Sequence, residues 1–187
     1  MKKITLIVTL WILNINFFTV ASFNPEATEK MEQAMKEDDV SKILQAIGEH
    51  ADFNVTDPYG CTPLIWAVRN NHFNLVSELL KRGVSVHSTD FLGYTPLMYA
   101  KTVNMVLFLL DNGADLNAVN KGGHTALTIA VVANKFRMVK ALLDKGARLD
   151  IVGKDGTTAL TNSPTLAMDE ILQNYAAKAM YKDQGKK

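Results

Sequence analysis

The chain has 187 residues, of which 48% are apolar and 21% charged, and its formal net charge is +1. This composition is typical of a globular protein and is too apolar for a disordered one. Nucleic-acid binding is not favoured, because it requires a surplus of cations to neutralise phosphates. We therefore expect one sizeable folded domain without a nucleic-acid partner.

The first 25 residues differ from the rest. Lys2 and Lys3 precede an uncharged, mostly apolar stretch over residues 4–25, with small residues around Ala21. A basic start, an apolar middle and a small-residue end are the layout of a secretory signal peptide, which we predict at residues 1–22. The stretch is also long enough to cross a bilayer, so a membrane anchor is the alternative. Cleavage would place the protein in the periplasm or outside the cell.

Two helices are predicted between residues 28 and 56 from apolar residues at helical spacing, such as Met31, Met35 and Ile43. The outer face of this pair is densely charged. A polar outer face suits the terminal unit of a repeat array, which meets water and not another repeat. We interpret this segment as an N-terminal cap, and we refer to it as the first repeat.

A short motif recurs four times downstream, at intervals of 33, 30 and 33 residues. In each copy a glycine is followed two residues later by a threonine, and the glycines are Gly60, Gly93, Gly123 and Gly156. Such a period is typical of a solenoid, in which each small unit is stabilised by packing on its neighbours. We divide the region into the second to fifth repeats, at 57–89, 90–119, 120–152 and 153–181.

Each of these repeats begins with a turn, followed by a threonine suited to cap a helix and by Pro or Ala at the first helical position. The next helix carries paired apolar residues and ends at a glycine, as in Leu75, Val76, Leu79 and Gly83. The pattern therefore predicts two helices per repeat.

These motifs resemble those of ankyrin-repeat proteins. The family pattern Thr-Pro-Leu-His-x-Ala is approached at residues 62–67 and 95–100 and more loosely at 125–130, and Gly-Ala-Asp-x-Asn is matched at 113–117. The resemblance covers about residues 28–181. It implies an all-α solenoid of about five helix-turn-helix units including terminal caps, without enzymatic activity.

Two departures from the family pattern are informative. The motif histidine is replaced in every repeat, by Ile65, Met98, Thr128 and Thr161. The third and fifth repeats are also three residues shorter between matched leucines, close to one helical turn. We predict that their first helix, or the loop after it, is shortened. Pro164 should end the short first helix of the fifth repeat, and residues 182–187 are expected to form a flexible tail.

The residues give little sign of catalysis. Cys61 is the single cysteine, so no internal disulfide forms, and the four histidines show no metal-ligand spacing. No nucleophile motif or phosphate-binding loop is present. We expect no catalytic residue, no metal and no cofactor.

The resemblance does imply a partner-binding surface, formed by the turn tips and the exposed side of the first helices. Carried over by position, its residues are Tyr59, Arg69, Asn70, Phe91, Leu92, Tyr94, Lys121, His124 and Lys154, with Val132 and Ala133 nearby.

Large apolar side chains at turns are unusual, because turns favour Gly, Asn, Asp and Ser. Tyr59, Phe91, Leu92 and Tyr94 either form an exposed patch for a partner or fold back onto neighbouring tips or the shortened helix. In contrast, we predict that Trp66 and its equivalents Tyr99 and Ile129 belong to the interhelical core.

The sequence thus predicts an exported, monomeric, non-enzymatic module that binds a protein partner of unknown identity, as in the neutralisation or chaperoning of a toxin or enzyme. The alternative is a secreted effector that acts on a host protein.

Overall fold

The computed structural model of the protein describes residues 24–184, which contain nine α-helices and no β-strand. This confirms the predicted all-α class. The predicted signal peptide at residues 1–22 lies outside the described residues. None of the helices in the described range is both long enough and apolar enough to span a membrane. The chain divides into two compact parts, one ending at Asp52 and one beginning at Phe53.

The first part contains α1 (Pro25–Glu37) and α2 (Val40–Gly48). Asn24 caps α1 by accepting hydrogen bonds from the amides of Glu26 and Ala27, and Asp39 caps α2. Between these helices, Asp38 adopts a left-handed conformation that ends α1. The helices pack through buried apolar residues on both, which are Ala27, Met31, Ala34, Met35, Ile43, Ala46 and Ile47.

The second part contains the remaining helices, which are α3 (Pro63–Arg69), α4 (Phe73–Lys81), α5 (Pro96–Tyr99), α6 (Val103–Asp111), α7 (Ala126–Val132), α8 (Phe136–Asp144) and α9 (Leu166–Gln184). The first helices of successive repeats pack side by side, α3 on α5 and α5 on α7, while α6 packs on α8 and α8 on α9. Matched leucines such as Leu64, Leu97 and Leu127 fill the core between them. The second part is thus a helical solenoid.

The first helices differ in length as the sequence predicts. Helix α5 has four residues, whereas α3 and α7 have seven each. Helix α5 stops early because Thr102 already caps α6, accepting a hydrogen bond from the amide of Met105. In the fifth repeat only a turn forms over residues 159–162. The first segment of the fifth repeat is therefore shortened, as predicted. It is a turn and not a short helix ended by Pro164, so that part of the prediction was wrong.

The C-terminal boundary also differs from the expectation. Helix α9 continues to Gln184, so residues 182–184, predicted as the start of a flexible tail, are helical. Residues 185–187 lie outside the described residues.

The core prediction holds for one of three equivalent residues. Trp66 is buried and stacks on His72, with ring centroids 5.2 Å apart. Tyr99 and Ile129 are only half-buried, so their assignment to the core was wrong. Tyr99 is the last residue of α5, so no further turn of that helix covers its ring. Ile129 lies on α7, and the fifth repeat has a turn in place of the first helix that would pack against α7.

Candidate partner-binding surface of the turn tips

The second, third and fourth repeats begin with a turn held by one polar side chain. The carboxylate of Asp57 accepts hydrogen bonds from the amides of Tyr59 (2.8 Å) and Cys61 (2.9 Å). Asp90 and Asn120 make the same pair of bonds in the next two repeats. Such side-chain bonds to the backbone two residues on fix the turn. We call these turns, together with that at residues 153–157, the tips, and number each tip by its repeat, from the second to the fifth.

Neighbouring tips are joined by backbone hydrogen bonds. The amide of Phe91 donates to the carbonyl of Tyr59 (3.2 Å), that of Lys121 to Leu92 (2.9 Å) and that of Lys154 to Gly122 (2.8 Å). The bond recurs at the same register each time. The tips therefore form a continuous ladder, and the predicted tip residues lie at matched positions along it.

The glycine of the second tip allows close contact with the third. Gly60 has a φ of +83°, and a Cβ atom placed on it would lie 2.5 Å from Cδ1 of Phe91. The ring of Phe91 therefore rests on the backbone of Gly60. Any side chain at residue 60 would suffer both backbone strain and a collision.

Large apolar side chains on two adjacent tips face solvent. Tyr59 is 70% exposed, Phe91 62% and Leu92 63%. Tyr94 is only half-buried, because its ring packs against Tyr99 with centroids 5.5 Å apart. Tyr59, Phe91 and Leu92 are therefore exposed, whereas Tyr94 folds back against the end of α5. We call the exposed set of Tyr59, Phe91 and Leu92 the tip patch.

The predicted residues Arg69 and Asn70 lie at the end of α3, and both are half-buried. The guanidinium of Arg69 lies 3.8 Å from the carboxylate of Asp57 and 3.7 Å from Sγ of Cys61. Burial raises the pKa of the Cys61 thiol to about 11, helped by the negative charge of Asp57. The thiol is protonated at neutral pH and is a poor nucleophile. The contacts of Arg69 with Asp57 and Cys61 connect the end of α3 to the second tip.

A bond between Asp90 and Tyr99 was missed by the sequence reasoning. The hydroxyl of Tyr99 donates to the second carboxylate oxygen of Asp90 at 2.5 Å. Burial and this hydrogen bond raise the pKa of Tyr99. The contact ties α5 to its tip, in a repeat whose motif histidine is replaced by Met98. The sequence did carry a signal for this bond, which is a tyrosine at this position of the repeat with an aspartate nine residues earlier.

The remaining predicted residues lie on the fourth and fifth tips. Lys121 and Lys154 are exposed, and His124 is half-buried. His124 lies at an open hollow of about 420 Å³ beside α7, which is also lined by Tyr94, Ile129, Val132 and Asp155. The hollow lies where the fifth repeat has a turn in place of a first helix that would pack against α7.

The described residues contain no group of three or more His, Cys, Asp or Glu side chains placed to hold a metal ion. What the surface does offer is a row of hydrogen-bonded tips, an apolar patch at one end, two exposed lysines at the other and a hollow beside α7. This arrangement can make contacts over an extended area.

Comparison with known proteins agrees with this architecture. The family model for ankyrin repeats in three copies matches residues 31–120 and 101–165. A putative ankyrin repeat protein of Rickettsia bellii is 32% identical over 126 residues, which are 63% of this chain and 70% of that protein. The putative ankyrin repeat protein YahD of Escherichia coli is 29% identical over 102 residues, 50% of this chain and 51% of the relative.

A palmitoyltransferase AKR1 of Lachancea kluyveri is 33% identical over 91 residues, but these are only 12% of that protein. This chain thus spans a small fraction of such a relative, within its repeats. Ankyrin repeats are a protein-protein interaction module and are generally not enzymatic. On the family match and the fold together, the chain belongs to the ankyrin-repeat family.

Proposed function

We propose that this protein binds another protein through the tip patch and the adjoining face of the first helices. The observation that carries the proposal is the exposure of Tyr59, Phe91 and Leu92 on two tips that are hydrogen-bonded to each other. Large exposed apolar clusters on a folded protein mark interaction sites. Aromatic anchors are also the residues most often found as hot spots, each worth about 2 kcal/mol or more.

The rigidity of the tips supports the same function. The tips of the second, third and fourth repeats are each held by two bonds to one side chain and by the backbone ladder, so their side chains are presented without further ordering of the loop. Binding to a preorganised surface loses less conformational entropy than binding to a mobile loop. The partner would cover the tip patch first and extend over Arg69, Asn70 and Tyr94 to Lys121, His124 and Lys154.

The proposal is tested with Tyr59→Ala/Leu92→Ala, which removes two exposed side chains of the tip patch and leaves Phe91 on Gly60. The matched control is Leu44→Ala/Leu166→Ala, because these leucines are also exposed but lie outside the tips. Each protein is used to capture partners from extracts of the source organism, and the affinity of the captured partner is then measured by calorimetry.

We expect wild type and control to capture the same partner, and the tip variant to bind it at least about tenfold more weakly. Equal affinity for the tip variant and the control would show that the tip patch is not the site.

We further propose that the protein is exported as a monomer and acts outside the cytoplasm, because of the basic and apolar pattern over residues 2–22. Its partner there would be a toxin or enzyme that it neutralises or chaperones.

Fractionation and N-terminal sequencing test this location. A processed chain released with the periplasm supports the proposal, whereas protein in the medium favours a secreted effector acting on a host protein. An unprocessed chain in the membrane would indicate an anchor. Light scattering tests the monomer.

A further inference from the structure

A second surface lies along the outer helices of the third and fourth repeats. It is a groove of about 960 Å³ between the start of α6 and the length of α8. None of its lining residues belongs to a tip or to a first helix. Anything that binds there makes contacts separate from those of the tip patch.

The rim of this groove is cationic. Lys101, Lys135, Arg137 and Lys140 line it, and all four are exposed. None of these four forms an ion pair with another side chain in the range 24–178, whereas Arg82, Lys145 and Arg148 each face a carboxylate. The rim therefore carries positive charge that the described part of the chain does not neutralise.

One acid lines the groove, at its far end. Asp144 accepts a hydrogen bond from the hydroxyl of Tyr175 on α9, and this bond raises the pKa of Tyr175. The carboxylate is thus already held by a neighbour in the fold. At the other end, no side chain of the described residues caps the first turn of α8, so the amides of that turn add to the positive potential of the rim.

The floor of the groove is apolar. Val103, Phe136 and Ala141 are half-buried along it, and Met138 is buried below them. A membrane surface or a nucleic-acid duplex could contact the rim, but its width would keep it from the floor. A single chain segment could reach both. The nine residues of α8 extend for about 13 Å, the length of about four residues of extended chain.

We propose that this groove binds a short acidic segment of a partner protein, with apolar residues interspersed among the carboxylates. The carboxylates pair with Lys101, Lys135, Arg137 and Lys140, and the apolar side chains cover Phe136 and Val103. Charge complementarity at the rim selects an acidic segment, and the floor selects against a purely polar one. This surface is independent of the tip patch, so either proposal can fail while the other stands.

The probe is a fluorescein-labelled peptide of alternating glutamate and leucine, bound to the full chain at 150 mM salt and followed by fluorescence anisotropy. Peptides of alternating lysine and leucine and of alternating glutamate and serine are the comparisons. Lys135→Glu/Lys140→Glu reverses two charges of the rim. Lys36→Glu/Lys81→Glu makes the same change in net charge at exposed lysines that do not line the groove, and it is the matched control.

We expect the glutamate-leucine peptide to bind wild type and to bind the rim variant at least about tenfold more weakly, since two attractive pairs become repulsive. The control should change the affinity by less than about twofold, because neither of its lysines lines the groove and salt screens exposed charges. Asn104→Trp keeps the charge but fills the groove, and it should weaken binding at least about fivefold. If the rim variant fails to fold by circular dichroism, Asn104→Trp decides the question.

Equal weakening by the rim variant and the control would overturn the proposal, because it would show only long-range attraction. Equal binding of the glutamate-serine or lysine-leucine peptide would overturn it as well. Co-sedimentation of wild type, but not of the rim variant, with phosphatidylserine vesicles, together with no peptide binding, would assign the groove to a membrane surface instead.

Discussion

The fourth and fifth repeats begin with almost the same sequence and fold differently. Thr125-Ala126-Leu127-Thr128 opens α7, where the side chains of Thr125 and Thr128 each accept a hydrogen bond from the other's amide. Residues 158–161 are Thr-Ala-Leu-Thr again, and Thr158 and Thr161 make the same two bonds. Yet the first continues as a helix of seven residues, and the second ends as a turn.

The cause of the difference lies after the cap. The fourth repeat continues with Ile129, Ala130 and Val131, of which the last two are buried, whereas the fifth has Asn162, Ser163 and Pro164 at the matched positions. A proline there would clash with the carbonyl four residues earlier and supplies no amide to a helix. A capping box therefore starts a turn, and burial of the following residues is what extends it into a helix.

The largest expected effect compares the two matched leucines. Leu127 is 1% exposed and Leu160 is 38% exposed. Leu127→Ala should lower the free energy of unfolding by about 2–5 kcal/mol, because it empties a packed site. Leu160→Ala should cost less than about 1 kcal/mol, since much of that side chain already contacts water. Urea denaturation followed by circular dichroism measures both, and similar losses would show that the fifth repeat is packed like the fourth.

A smaller effect is expected at the glycines of the two tips. Gly123 and Gly156 both have positive φ, +81° and +78°, so alanine is strained at either, by about 1 kcal/mol. A Cβ on Gly123 would also lie 3.0 Å from the Cα of Gly153 and from the amide nitrogen of Lys154, while a Cβ on Gly156 would meet no described atom within 4 Å.

Gly123→Ala should therefore cost about 1–2 kcal/mol more than Gly156→Ala in the same denaturation experiment. It should also speed hydrogen exchange at the amide of Lys154, which bonds to Gly122. Equal costs with unchanged exchange would mean that the fourth and fifth tips are not in close contact.

Much of this fold follows from local sequence signals. Glycine and threonine spacing gives the repeat, the cap residues give the helix starts, and the missing three residues give the short α5. The sequence could not show that Asn162 and Ser163 leave only a turn, because capping and apolar spacing still favour a helix at Thr158. Packing against neighbours decides that outcome, and packing is not local.

The same limit applies to the candidate site. Turn position predicts that Tyr59, Phe91, Leu92 and Tyr94 lie on adjacent tips, but not which of them stays exposed. The side chain of Tyr94 is half-covered because Tyr99 lies beside it, held by Asp90 from nine residues earlier. That contact depends on where α5 ends. The cationic groove brings together Lys101 and Lys140 from two different repeats, so no single motif in the sequence marks it.

The smallest expected effect concerns the threonines that precede the first helices. Thr125 is buried, and its hydroxyl accepts a hydrogen bond from the amide of Thr128 at 3.2 Å. Thr125→Val keeps the shape but leaves that amide without its cap, so it should cost about 1–2 kcal/mol. Thr158→Val removes an exposed bond from a turn and should cost less than about 0.5 kcal/mol.

Thr95 supplies the internal control for this series. Its hydroxyl oxygen is buried without a hydrogen-bond partner among the described residues, and it makes no cap bond to α5. Thr95→Val should therefore leave the free energy of unfolding unchanged or raise it slightly, because an unsatisfied polar group is replaced by an apolar one of the same shape. Equal losses for all three valine variants in urea denaturation would mean that the hydroxyl does not stabilise these turns by hydrogen bonding. The stability of α7 would then come from its buried face alone.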